Sequence, residues 1–214
     1  MGRVKSRLAR DTDTHQALHV HRRLLSKTVE TAGACRVPVQ FWVADAAGFY
    51  AESWLSQGQR RHRRRQRGAD LGTRMHHALQ SGLKTTQSVL LVGSDCPELS
   101  VDYLQAAFRA LKHHRVVIGP ATDGGYVLIG MRGVSALRGR AIFRQVSWGS
   151  ERVLSQTLSR LQRAGIGCAC LPPLSDVDRA EDLWRHASAL GLNERQAELG
   201  CLDHPAQNRN FRVS

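Results

Sequence analysis

The sequence predicts an α/β fold, a mainly parallel sheet covered by helices, and three observations lead there. Short apolar runs such as Val89-Leu90-Leu91-Val92 and Val116-Val117-Ile118 have the length and β-branched content of buried strands. Segments with apolar residues at helical spacing lie between them. Strands alternating with helices of this length favour parallel pairing with helical crossovers.

Taken in order, Leu18, Leu25, Val29 and Ala32 predict a helix over about Thr14 to Ala32, ending at Gly33. Val37 to Val43 reads as a strand, and the arginine-rich stretch after it as a loop. Leu71 to Leu83 returns to helix, and Ser88 to Gly93 is expected as a strand buried on both faces. Val101, Leu104, Phe108 and Leu111 give the next helix, with Ser100 as its N-cap. Val116 to Gly119 and Tyr126 to Gly130 are strands around a glycine-rich connection. A helix over Glu151 to Ala164 follows, capped by Ser150. Then come a weak strand over Gly167 to Leu171 and a last helix over Arg179 to Leu190. Residues 1–190 therefore read as one domain and 191–214 as a polar tail.

Bulk properties bound the function. A chain of 214 residues with 42% hydrophobic and 6% aromatic content suits one soluble domain with a sizeable core. It has no apolar run of the ~20 residues that span a bilayer and no apolar stretch of a secretory leader near Met1, so a cytoplasmic protein is expected. Five scattered cysteines, with Cys168 and Cys170 lacking a second pair, read as reduced thiols rather than a zinc site. The net charge of +13 raises nucleic acid as a partner, and Arg60 to Arg67 is the obvious cluster. No aromatic side chains interleave it to stack bases, so it reads as a solvated loop or a basic rim for an anionic nucleotide.

In open α/β sheets ligands gather beyond the carboxyl ends of the strands. That rule selects Gly93-Ser94-Asp95-Cys96-Pro97, then Asp123-Gly124-Gly125, then Asp176-Val177-Asp178 before the last helix. Asp95 could hold a hard cation or form a local turn before Pro97. Asp178, three residues before Glu181, could cap the helix, bind a metal, or do both. Asp123 to Gly125 could be turn chemistry or a place of close ligand approach. Lys5 and Arg7, just before a helix, could bind a diphosphate or belong to a frayed terminus.

Six ordered segments carry a family resemblance: Val4-Lys5-Ser6-Arg7-Leu8-Ala9, Gln66 to Met75, Gly93 to Pro97, Gly119 to Tyr126, Val146-Ser147-Trp148, and Asp176 to Asp178 with Glu181-Asp182-Leu183. Over residues 2–190 the chain resembles the radical-SAM/selenodomain-associated transferase 1 family. That family lies within the GT-A nucleotide-diphospho-sugar transferase superfamily, whose fold is Rossmann-like. The chain is also similar to 2-phospholactate guanylyltransferases.

The resemblance implies a metal-dependent transferase with a nucleotide donor, foremost a glycosyltransferase using a nucleotide sugar and a small-molecule acceptor. Asp95 would bind Mg²⁺ or Mn²⁺, with Asp178 or Asp176 as second ligand. Lys5 and Arg7 would neutralise the donor phosphates, and in a nucleotidyltransferase Lys5 would stabilise the reacting α-phosphate. Asp70, Leu71, Gly72 and Arg74 would lie along the nucleotide pocket, and Gly124 and Gly125 would shape the acceptor side, with Asp123 as base. The alternatives are a nucleotidyltransferase using a nucleoside triphosphate, a nucleic-acid-associated module and an inactive remnant. Members of the family begin with a hydrophobic strand before the lysine motif. Here Met1 stands almost on that motif, so the first strand is expected to be absent. Arg179 also stands where relatives carry a small hydroxyl residue.

Overall fold

A computed structural model of the protein describes residues 5, 7–44, 62–133 and 136–192. The described elements are α1 (Leu8–Asp11), α2 (Thr14–Ala34), β1 (Phe41–Val43), β2 (Arg63–Arg65), α3 (Leu71–Leu83), β3 (Ser88–Val92), α4 (Val101–His113), β4 (Val116–Pro120), β5 (Tyr126–Arg132), α5 (Ala136–Phe143), α6 (Val153–Arg163), β6 (Cys168–Cys170) and α7 (Ala180–His186). A 3-10 turn follows at Ser188–Leu190.

Four strands form the main sheet in the order β3-β5-β4-β6. β5 runs antiparallel to both neighbours and β6 parallel to β4, so β3, β4 and β6 share one direction. The sheet is thus mainly parallel in strand direction, as expected, with β5 reversed at its centre. β1 and β2 pair parallel in a second, small sheet, and Trp42 meets His77 of α3 edge to face at 5.3 Å. Among the described residues no strand pairs with the outer edge of β3.

Alternation along the strands assigns the two faces. Val116, Ile118, Ile129 and Met131 pack with Leu79 of α3, Ile142 and Phe143 of α5, and Leu161 of α6. Val117 and Leu128 point the other way, onto Leu104, Ala107 and Leu111 of α4. A third cluster joins Leu8, Val20 and Leu24 to Val177 and Leu183, fastening the N-terminal helices to α7. Each fully buried leucine or isoleucine here contributes about 1.5–3 kcal/mol.

Several boundaries differ from the sequence reading, each for a local reason. α2 passes through Gly33 and stops only where Arg36 turns left-handed at φ 55°. Its buried stripe is Ala17, Val20, Leu24 and Thr28, one step round the helix from Leu18, Leu25 and Val29. The arginine run is not all loop: Arg63–Arg65 forms β2, because pairing with Phe41–Val43 carries its backbone while Arg64 and Arg65 stay exposed. Arg60 and Arg61 lie outside the described residues. β3 is only half-buried along its whole length. The last helix ends at His186 before the 3-10 turn, and α1 and α5 had no counterpart among the predicted elements. Gly191 and Leu192 belong to the expected tail, which lies otherwise outside the described residues, and Leu192 is buried with the third cluster. No helix among the described residues is long and apolar enough to cross a membrane.

Candidate functional site

The site assembles because β3, β4 and β6 release their chains at the same end of the sheet. Backbone hydrogen bonds then lock the loops together. Leu174 N donates to Pro120 O at 3.0 Å and Thr122 N to Leu174 O at 3.0 Å, joining the loops after β4 and β6. Val177 N donates to Asp95 O at 3.0 Å, joining the loop after β6 to that after β3. Ser175 N donates to Glu98 Oε2 at 2.7 Å across the same seam.

Lys5 enters this junction from the N-terminus. Its Nζ lies 3.1 Å from Asp95 Oδ2 and also donates to the Val177 carbonyl. The Lys5 side chain is only 5% exposed, whereas Asp95 is 49% exposed and faces outward. Asp95 Oδ1 accepts from the Ser94 hydroxyl at 3.2 Å. Arg7 Nη1 reaches Asp178 Oδ2 at 2.8 Å, so both cations pair with carboxylates expected to hold metal. Lys5 has φ 52°, a left-handed backbone that a non-glycine residue adopts at a cost of about 1–3 kcal/mol.

Asp176 completes the acidic group. Burial pushes its carboxyl up to about 6, and the neighbouring Asp123 and Asp178 add to the rise while Lys5 opposes it. Asp123 is exposed and its Oδ1 accepts from Gly125 N at 2.8 Å. Asp95, Asp123, Asp176 and Asp178, drawn from three separate segments, therefore lie at the same end of the sheet.

The cap of α7 differs from the expected one. Asp182, not Glu181, closes the cap, and its Oδ2 accepts from Asp178 N at 3.0 Å and Arg179 N at 2.8 Å. The Asp178 carboxylate therefore does not cap the helix; Arg7 holds it instead. Arg179 is the N-cap residue and its side chain makes no capping bond.

The residues expected along a nucleotide pocket sit at the start of α3. Asp70 is its N-cap, accepting from Thr73 N at 2.7 Å, and that bond holds its carboxyl below the usual range. Arg74 Nε donates to Gly68 O at 3.0 Å, and Leu71 is half exposed. Gly72 is required by packing: a Cβ there would stand 2.6 Å from the Trp148 ring. Asp70, Gly72, Thr73, Arg140 and Arg144 border a cavity of about 220 Å³ between α3 and α5. Gly124 has a structural reason as well, since at φ 88° a Cβ would lie 2.2 Å from Glu151 O.

His21 is a member of the site that the sequence reading missed. Burial lowers the pKa of its imidazole, Asp95 pulls the other way, and Lys5 adds to the lowering. It lies on α2 beside the buried stripe, and nothing in its spacing sets it apart from the other histidines of that helix. Glu98 was likewise passed over, although it follows Asp95 by three residues. Cys96 is buried and its thiol is pushed up to about 11, which makes it a core residue rather than a nucleophile.

Carboxylate oxygens are suitable donors for a hard divalent cation, and Asp123 and Asp178 add negative field at Asp176 beyond the effect of its burial. No three metal-ligating side chains among the described residues converge closely enough to hold an ion alone. The arrangement fits a cation bound through one or two carboxylates and completed by substrate phosphates.

Comparison with known proteins agrees with the fold. The sequence profile of DUF2064, described as "Uncharacterized protein conserved in bacteria", matches residues 27–150. The chain is similar to a crystal structure from Desulfovibrio desulfuricans G20 described as a "putative nucleotide-diphospho-sugar transferase". That likeness has 26% sequence identity and a TM-score of 0.79, covering 93% of this chain and 91% of the other. None of the curated proteins matches the chain.

Proposed function

Because the chain belongs to the DUF2064 family, we propose that it is a cytoplasmic, metal-dependent transferase that uses a nucleotide sugar as donor, within the group of radical-SAM/selenodomain-associated transferases that its motifs resemble. The observation that carries this reading is the junction of Lys5 with Asp95 at 3.1 Å and Arg7 with Asp178 at 2.8 Å, at the carboxyl ends of the strands. Two cations among four carboxylates are what a phosphate-bearing donor and its counter-ion require. The likeness to the Desulfovibrio protein supports a nucleotide-diphospho-sugar transferase over other chemistries.

Asp95, with Asp178 or Asp176, would hold Mg²⁺ or Mn²⁺, which when bound stabilises negative charge on the departing diphosphate. Lys5 and Arg7 supply fixed positive charge to the same leaving group. Asp123 would take the proton of an acceptor hydroxyl; its exposure and the bond from Gly125 N to Oδ1, which leaves Oδ2 for the acceptor, support that role. The start of α3, with Asp70, Leu71, Gly72 and Arg74, would border the nucleotide.

The test is product analysis with Mn²⁺ and a panel of nucleotide sugars and nucleoside triphosphates. Release of a nucleoside diphosphate from a sugar donor is expected; pyrophosphate release from a triphosphate would replace this reading with a nucleotidyltransferase. Asp95→Ala should leave the fold intact and lower Mn²⁺-dependent nucleotide binding on the order of 10²-fold. Unchanged affinity in that titration would remove Asp95 from the site.

A further inference from the structure

Both oxygens of Asp95 are already engaged. Oδ2 faces the Lys5 ammonium at 3.1 Å, and Oδ1 accepts from Ser94 at 3.2 Å. The hydroxyl can rotate away freely. The ammonium is held more firmly, because the Lys5 side chain is only 5% exposed and its Nζ also donates to the Val177 carbonyl. Val177 itself is tied to Asp95 by its own N–H, which closes a small ring of contacts around Lys5 Nζ. Lys5 thus holds one of the two oxygens that Asp95 would offer a metal.

We propose that Lys5 is a resident cation that excludes free divalent metal from Asp95, so that the site takes the metal and a polyphosphate together, as one complex. This inference rests on the reading of Asp95 as a metal ligand. A divalent ion arriving alone would have to approach the ammonium at the same carboxylate, where the two like charges repel at close range. It would also find too few protein ligands, since no three converge among the described residues. A polyphosphate changes both terms. Its oxygens complete the shell of the ion, and others accept from the ammonium, which has three N–H groups and spends two on Asp95 and Val177. Lys5 then moves from carboxylate to phosphate, remaining protonated throughout, and Asp95 is released to the metal. By linkage, the polyphosphate must strengthen metal binding by the same factor as the metal strengthens polyphosphate binding.

The experiment is equilibrium dialysis of the full chain against Mn²⁺ at matched free concentration, with and without inorganic pyrophosphate. Wild type, Lys5→Gln and Asp95→Asn are compared, each checked by a thermal melt. Wild type should hold Mn²⁺ at least tenfold more tightly when pyrophosphate is present. Lys5→Gln should hold Mn²⁺ alone at least tenfold more tightly than wild type, and pyrophosphate should then add less. Equal Mn²⁺ affinity in Lys5→Gln and wild type would overturn the proposal. So would the absence of pyrophosphate enhancement in wild type, a measurement that stands even if the variant does not fold. Mn²⁺ retention undiminished in Asp95→Asn would show instead that the metal reading has failed, and the inference with it.

Discussion

β3 and β4 carry the same kind of sequence, run in the same direction and flank the same strand, yet they are buried differently. Val116 to Gly119 are enclosed, whereas every residue of β3 keeps partial exposure. Their neighbours account for this: β4 has β5 and β6 on its two edges, and β3 has β5 alone among the described residues. An apolar run records the capacity for burial, and the occupancy of both edges decides whether that capacity is used. The contrast continues into the loops. Asp95, after β3, stands 49% exposed and accessible to a ligand. Asp176, after β6 on the enclosed side, is half-buried and its carboxyl rises to about 6.

This contrast can be broken by substitution, and the largest effect should fall within the strands. Ile118→Ala should cost about 3–4 kcal/mol and Leu91→Ala about half as much, because a partly exposed site loses less transfer energy and leaves a smaller cavity. Urea denaturation measures both, and equal losses would erase the distinction between the strands. The loops offer a second pair. Gly124→Ala meets Glu151 O at 2.2 Å on a left-handed backbone and should cost about 2 kcal/mol. Gly93→Ala, whose nearest contact is 3.8 Å away, should stay within about 0.5 kcal/mol of wild type. Similar melting temperatures for the two variants would refute the closer fit of the loop after β4.

The smallest effect concerns pH. Asp176 has a folded-state value near 6 against 3.8 for the ordinary group, so the folded protein binds this proton more readily than the unfolded chain. Its contribution to stability is therefore present below about pH 4 and lost as pH rises through 6. Asp176→Asn removes the buried charge and should stabilise the metal-free protein at pH 7–8 by on the order of 1 kcal/mol after solvent screening. The gain should vanish by pH 4. Thermal melts across that range check the sign, and a gain that persists at pH 4 would mean that charge is not its cause.

Elements with strong local signals were legible in the sequence. Leu71–Leu83 has the predicted bounds, and Ser100 caps α4 as its position suggested, accepting from Tyr103 N at 3.2 Å. The three acidic segments were found from the position of strand ends, and the chain's own hydrogen bonds bring them together. What escaped depends on long-range pairing. Nothing local in Arg63-Arg64-Arg65 announces a strand; it becomes one through Phe41 to Val43. Nor does the spacing of α2 reveal that His21 falls within the electrostatic reach of Lys5 and Asp95, since a helix of 21 residues presents several histidines and the fold chooses among them.

The one-residue displacement of the α7 cap has a consequence for how this protein can change. Because Asp182 anchors the backbone at 178 and 179, the carboxylate of Asp178 is not needed to start the helix. Chemistry and scaffold are thereby decoupled at that position. A lineage can vary the side chain at 178, and with it the donor or the cation it prefers, while the last helix keeps its own fastening.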